Sequence, residues 1–172
     1  MNENKRTIEL VPHLPIWDKY FQKECKSLSK VLRNNIVEIH HIGSTAIPKI
    51  KAKPVLDILC VVHTMDGIDL FKNEFNKLGL IWKSDQGNPG RFYFERLGSD
   101  GVTQLCHIHI FEKGNSLIND YLDFRDYLNA EDKIAKEYED LKVLLQEQHA
   151  NNLDLYKMGK NEFIETVLKN LR

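Results

Sequence analysis

The stretch HHIGSTAIPKIKAKPVLDILCVV, residues 40–62, decides how the chain is read. Ile36 to Ile42 is rich in β-branched residues and reads as a strand that stops at Gly43. The loop Ser44 to Pro54 follows and holds two prolines. Val55 to Val62 is almost wholly apolar and reads as a central strand buried on both faces, with Asp57 its one charged residue. Gly43 has no side chain to keep a phosphate from the backbone. Ser44 and Thr45 offer hydroxyl and backbone N–H donors where a short helix begins, a favourable setting for an anion. Twelve residues separate Ser44 from Asp57. On a neighbouring strand Asp57 would stand near such a phosphate as a ligand for Mg²⁺. That is the minimum of a metal-assisted phosphoryl or nucleotidyl transfer site. The plainer reading is a Gly-Ser turn and a buried Asp that hydrogen-bonds to loop backbone.

Working outward, residues 1–13 are polar and read as an arm or edge strand. A helix starts near Pro15 and shows one apolar face through Trp17, Phe21, Cys25, Leu28, Val31 and Leu32. Beyond the second strand a helix is expected from an Asp66 N-cap to Leu78, with Gly79 past its end. Ile81 to Lys83 reads as a short strand and Ser84 to Gly90 as a turn or loop. Strands Arg91–Arg96 and Val102–Phe111 flank the hairpin turn Gly98-Ser99-Asp100-Gly101. After Gly114 three helical stripes follow: Leu117, Tyr121, Phe124, Leu128; then Ile134, Tyr138, Leu141, Leu145; then Phe163, Ile164, Val167, Leu168, Leu171. The expectation is one α+β domain over residues 1–172, with a core of about residues 14–114 and a helical C-terminal segment of about residues 115–172.

His107 and His109 lie two apart on a strand and so share one face. Imidazole suits Zn²⁺ or Mn²⁺ better than Mg²⁺. With Asp57 in the same pocket the set would be two histidines and a carboxylate; a neutral histidine would serve equally as a general base. Two histidines on a solvated sheet face are the plain alternative. Gly101 followed after five residues by His-x-His matches the opening of a cupin metal motif, but the later glycine and second histidine block are missing. The helical C-terminus also rules out a jelly roll.

His41-Ile42-Gly43-Ser44-Thr45-Ala46-Ile47-Pro48 and Ala52-Lys53-Pro54-Val55-Leu56-Asp57-Ile58 together resemble the GrpB family (UPF0157). The resemblance continues through His107-Ile108-His109-Ile110-Phe111, Phe124-Arg125-Asp126-Tyr127-Leu128, Tyr138, Leu141-Lys142, Tyr156, Lys160 and Phe163-Ile164. It implies a fold similar to the nucleotidyltransferases related to DNA polymerase β. Their pattern is Gly followed by Gly or Ser, a spacer, then two carboxylates one residue apart. Here the second carboxylate position is Leu59.

The 172 residues carry 24 Lys plus Arg against 25 Asp plus Glu, so any polyanion site must be local. Neither a membrane-spanning run nor a signal-peptide core is present, and no aromatic-basic platform for nucleic acid is evident. Three cysteines, Cys25, Cys60 and Cys106, read as reduced thiols of a cytoplasmic protein. The function expected is a metal-dependent nucleotidyl- or phosphotransferase acting on a nucleotide or other phosphate-bearing small molecule. Gly43, Ser44, Thr45, Lys53 and Arg91 would hold the phosphates. Asp57, His107 and His109 would carry catalysis and bind the metal, Mg²⁺ or Mn²⁺, or Zn²⁺ if the histidines are ligands. Two alternatives stand beside it: a catalytically inactive nucleotide- or ligand-binding module of the same fold, and a His-based metal-dependent phosphoester hydrolase. Oligomeric state is not legible.

Overall fold

The computed structural model describes residues 7–85 and 87–172. The chain forms two compact units. One, the sheet unit, comprises Pro15–Gly43 and Val55–Ile118; the other, the helical unit, comprises the N-terminal residues to Leu14, Ser44–Pro54 and Asn119–Arg172. The N-terminal arm and the loop after Gly43 therefore group with the helices, although the loop lies within the core expected over about residues 14–114. The six N-terminal residues of that arm lie outside the described residues.

The sheet unit opens with α1 (Ile16–Leu32) and continues through β1 (Ile36–Ile42), β2 (Leu56–Val62), α2 (Lys72–Lys77), β3 (Leu80–Trp82), β4 (Arg91–Leu97) and β5 (Gln104–Glu112). The strand order is β1-β2-β5-β4-β3. β2 and β5 run parallel and the other neighbours antiparallel. β2 lies between two partners, and its side chains are buried except for half-buried Asp57, as an apolar run requires. Alternation divides the sheet into two faces. One presents His41, Ile58, Cys60, Cys106, Ile108 and Phe94. The helices pack on this face. Phe21 stacks on His41 at 5.1 Å and Phe75 meets Phe94 at 4.3 Å. The three cysteines are free, with Cys60 and Cys106 buried and Cys25 half-buried.

Two elements differ from expectation by more than one residue. Gly67 has φ +74°, so no helix runs from Asp66; a 3₁₀ turn, Ile68–Phe71, leads instead into the short α2. Val102 is not in β5. The Asp100 carboxylate accepts from the Val102 and Thr103 N–H groups, each at 2.9 Å, and holds the residues in a turn closed by Gly98 N–H to Thr103 O at 2.8 Å.

The helical unit is built on α3 (Ser116–Ala130), α4 (Asp132–His149) and α5 (Leu153–Leu171). α3 begins in the sheet unit and continues into this one. Its core joins Phe124, Leu128, Ala135, Tyr138 and Val167 with Ile47 and Ile50 of the loop. A second cluster sets Ile8 of the arm against Leu145 and Tyr156. The described part of the arm is held by Ile8 N–H to Ala150 O at 2.8 Å and by an isolated antiparallel bridge of Val11 to Ala52, and forms no strand of the sheet. The loop is tied to α4 by Lys49, which pairs with Asp132, and by the Lys51 backbone N–H, which donates to Glu139 Oε1 at 2.7 Å. Among the described residues no helix is long and apolar enough to cross a membrane.

One buried ion pair ties α1 to the sheet. Glu24 accepts from Arg96 Nη1, while Glu24 Oε2 and Arg96 Nε are buried without partners. Removing one member leaves an uncompensated charge in the interior. Arg96→Met is expected to cost about 3 kcal/mol in urea unfolding, and Glu24→Leu combined with Arg96→Met to recover most of it. At the α4–α5 contact a Cβ on Gly159 would sit 2.5 Å from Leu145 Cδ2. Gly159→Ala should therefore lower the melting midpoint, despite the roughly 1 kcal/mol that Ala ordinarily gains over Gly within a helix.

Candidate active site

The second face of the sheet is polar at its centre. In the parallel β2–β5 register Asp57 lies opposite His107 and Leu59 opposite His109. Across β4–β5, His107 faces Glu95 and His109 faces Tyr93. On the outer side Asp57 faces Ile42, the last residue of β1. Alternation therefore brings Asp57, His107, His109, Tyr93, Glu95 and Arg91 to one face. The sequence-based grouping of Asp57 with the two histidines is met in this arrangement.

Their contacts are specific. His107 Nδ1 lies 2.9 Å from Asp57 Oδ1, and His109 Nε2 lies 3.7 Å from the same oxygen. Arg91 Nη1 stands 3.2 Å from His109 Nδ1. An arginine can only donate, so His109 Nδ1 accepts and its proton sits on Nε2, towards the carboxylate. An ionised carboxylate can only accept, so His107 carries its proton on Nδ1. Nε2 of a neutral His107 then presents a lone pair, and that atom is buried with no hydrogen-bond partner among the described residues. The Tyr93 ring lies beneath both imidazoles, with centroids 5.6 Å from His107 and 5.1 Å from His109. Its hydroxyl donates to Glu95 Oε1 at 3.3 Å.

Burial alone would raise the Asp57 carboxyl. The hydrogen bonds and charge of His107 and His109 outweigh it and hold the group well below the usual carboxylate range. Burial holds His109 below its ordinary value; attraction to Asp57 opposes this, while the Arg91 charge reinforces it. The site thus keeps an ionised aspartate beside a neutral His109.

The five residues expected to cradle phosphate stand differently. Gly43 has φ +70°, and a Cβ there would lie 2.6 Å from Asp57 Oδ2. The missing side chain makes room for the carboxylate, so the close approach anticipated for a phosphate is taken by Asp57 itself. Arg91 is buried and largely committed to the preceding loop: Nε donates to Asp85 O at 2.9 Å, and the Asn88 amide oxygen, turned to face it, accepts from Nη1 and Nη2 at 3.2 and 2.9 Å. It acts as a brace for the loop and for His109. Ser44 and Thr45 open a 3₁₀ turn of only three residues, too short for the dipole of a true helix terminus. They and half-buried Lys53 belong to the helical unit.

The donors do not fit the metal centre expected at Asp57, His107 and His109. Asp57 Oδ1 and His107 Nδ1 are spent on each other, and His109 Nδ1 is spent on Arg91. Among the described residues no group of three or more His, Cys, Asp or Glu side chains is arranged to hold a metal ion. The two imidazoles converge on one carboxylate oxygen instead of on a common point in space. Leu59, at the second carboxylate position, is fully buried and offers no ligand.

Tyr93 and Glu95 escaped the sequence reading. The available signal was period two: Arg91, Tyr93 and Glu95 alternate with apolar Phe92 and Phe94, which marks a polar face on β4.

The GrpB protein family profile matches residues 7–170. The chain is 38% identical over 168 residues to the UPF0157 protein YqkA of Bacillus subtilis, covering 98% of this chain and 48% of that one. It therefore spans about half the length of that relative. It is 32% identical over 170 residues to the glutamate-rich protein GrpB of Alkalihalophilus pseudofirmus, covering 98% of each. The crystal structure of conserved protein GrpB from Enterococcus faecalis superposes with a TM-score of 0.81 at 30% identity, covering 93% of this chain and 99% of that one. The Cid1 poly(U) polymerase aligns at a TM-score of 0.46 and 15% identity over 77% of this chain and 42% of that one, too slight a likeness to carry an argument. With the profile spanning almost every residue and a relative matched from end to end, the chain belongs to the GrpB family.

Proposed function

We propose that this chain is a phosphoryl- or nucleotidyl-transfer protein acting on a nucleotide or another phosphate-bearing small molecule, with Asp57 and His107 as its acid–base pair. The observation that carries the reading is the 2.9 Å contact of His107 Nδ1 with Asp57, which leaves Nε2 buried and without a partner. In this role Nε2 takes the proton of the attacking hydroxyl as its oxygen bonds to phosphorus, the bridging P–O bond breaks and the leaving group departs as nucleoside diphosphate (phosphoryl transfer) or pyrophosphate (nucleotidyl transfer), and the Asp57 carboxylate stabilises the imidazolium that forms. Burial, reinforced by the Arg91 charge, holds His109 neutral beside the pair, so that the carboxylate is shared by one strong and one weak partner. No step passes through a metal ion. A binding module without turnover is the second reading, favoured by the buried Leu59 where the nucleotidyltransferase pattern places a carboxylate.

The test is release of phosphate or pyrophosphate from each of the four ribonucleoside triphosphates, alone and with Mg²⁺, Mn²⁺ or Zn²⁺, alongside thermal shift. His107→Gln and Asp57→Asn are expected to lower turnover by about 10²-fold or more while the protein stays folded. Nucleotide stabilisation without turnover would favour the binding module. If neither nucleotide nor metal moves the wild-type midpoint, the reading fails. A Mn²⁺ or Zn²⁺ shift abolished by His107→Gln would restore the metal centre.

Stability should follow pH with a defined sign. The lowered His109 means that, below an unfolded value of about 6.5, the unfolded chain takes a proton the native chain refuses, so stability falls on acidification through that range. The contribution of Asp57 is full above its unfolded value of about 3.9 and is lost as pH falls towards the depressed native one. His109→Gln should flatten the first limb and Asp57→Asn the second, measured by urea midpoints across the acid range. Gly43→Ala should cost roughly 1–2 kcal/mol from left-handed strain alone and should also displace the carboxylate, removing any response to nucleotide.

A further inference from the structure

Lys19, Lys23, Lys26 and Lys30 of α1 are spaced by four, three and four residues, and all four are exposed. At 3.6 residues per turn they fall within an arc of about 60° and form one stripe about 16 Å long. The stripe lies opposite the side of the helix that buries Trp17, Leu28 and Leu32. Exposed Arg33 stands just past its end. In the sequence this excess is hidden, because the lysines are separated by other residues and form no basic run.

α1 has two acids. Glu24 is buried and paired with Arg96, which leaves Asp18 as the acid on the exposed side. Among the described residues none of the four lysines forms an ion pair. α4 gives the contrast: Lys133 pairs with Glu137 at 3.9 Å, and Lys136 pairs with Glu139 and Asp140 at 3.2 and 2.6 Å. A helix whose charges serve only to keep it solvated is balanced in that way. In a chain with 24 Lys plus Arg against 25 Asp plus Glu, α1 is a local positive excess. A groove on the same side is lined by Asp18, Lys19, Gln22, Lys23 and Lys26. Tyr20 and Ile16, at the start of the stripe, are exposed at 52% and 39%.

The chemistry selects the occupant. The apolar side of α1 is spent on the sheet, so the helix has none left to enter the acyl boundary of a bilayer. A duplex encloses its bases and would leave the Tyr20 ring idle. A single strand offers both partners. Successive lysines rise about 4.5–6 Å along the axis and reach successive phosphates, while the tyrosine ring takes a base by stacking. We propose that the outer side of α1 is a docking surface for a single-stranded nucleic acid, held at its phosphates by Lys19, Lys23, Lys26 and Lys30 and at one base by Tyr20. Recognition is through phosphate and ring, so RNA and DNA strands fit alike. α1 packs on the sheet face opposite the Asp57–His107 pair, and the surface uses no residue of that pair.

The experiment is fluorescence anisotropy of the full chain with a labelled mixed-sequence single strand of about 12 nucleotides, as RNA and as DNA, across a salt series. Wild type is expected to bind both. Log affinity should fall against log salt with a slope of about −3, since four phosphates each release roughly 0.7 counterion. Lys23→Ala combined with Lys26→Ala is expected to reduce the slope by about 1.4 and to weaken binding about tenfold or more at low salt. Tyr20→Ala should weaken binding about fivefold or more and leave the slope unchanged. These side chains are exposed, so the variants should melt as wild type does. Lys133→Ala, on α4, should bind as wild type does. The surface is overturned if wild type leaves both strands free, or if the double lysine variant keeps the wild-type affinity and slope. It is overturned equally if a duplex of the same length, phosphatidylserine vesicles or polyglutamate is bound at least as tightly as the single strand.

Discussion

The parallel pairing of β2 with β5 is the constraint on which the polar site depends. It places Asp57 beside His107 and Leu59 beside His109. Side-chain period is two, so a slip of one residue would turn Asp57 to the helix-covered face and Ile58 to the polar one. The apolar residues of β2 prevent such a slip, since Ile58 and Cys60 must lie under the helices. The packing of α1 and α2 on one face therefore fixes the chemistry available on the other. The hydrogen bond between Asp57 and His107 is a consequence of that register and needs no strained backbone to form.

The same logic explains why glycine stands at residue 43. The left-handed turn ends β1 and brings its backbone against the Asp57 carboxylate. One residue thus terminates a strand and gives the acid a place to lie. Arg91 shows a comparable economy. Its guanidinium holds Asp85 and Asn88 of the preceding loop and sets the proton position of His109. Its planar fork suits contacts in several directions, which an ammonium group could not duplicate.

Much of this arrangement is written locally. The β1 boundaries, the hairpin at Gly98–Gly101 and the three C-terminal helices follow from periodicity and turn chemistry, as does the shared face of His107 and His109. What was not legible depends on long-range partners. Gly67 breaks the helix after β2 through its backbone angle, whereas the apolar pattern runs on without interruption. The loop at Ser44–Pro54 looks like a free basic loop in the sequence, but Ile47 and Ile50 are core residues of the helical unit. The metal set is plausible by residue type, but the partner of each donor atom is decided by neighbours that spacing does not reveal. Tyr93 and Glu95 enter the site only through the β4–β5 register.

The helical unit is assembled from three separated stretches of chain. Ile8 emerges from the ribosome 142 residues before its hydrogen-bond partner Ala150. At about 5–20 residues per second the arm waits on the order of ten seconds before it can dock. All five strands, by contrast, have been translated once Glu112 is out. The sheet can therefore pair while the arm and the loop that follows Gly43 still await their helices. A nascent chain in that interval exposes Ile8, Ile47 and Ile50, the residues whose later burial completes the clusters of the helical unit.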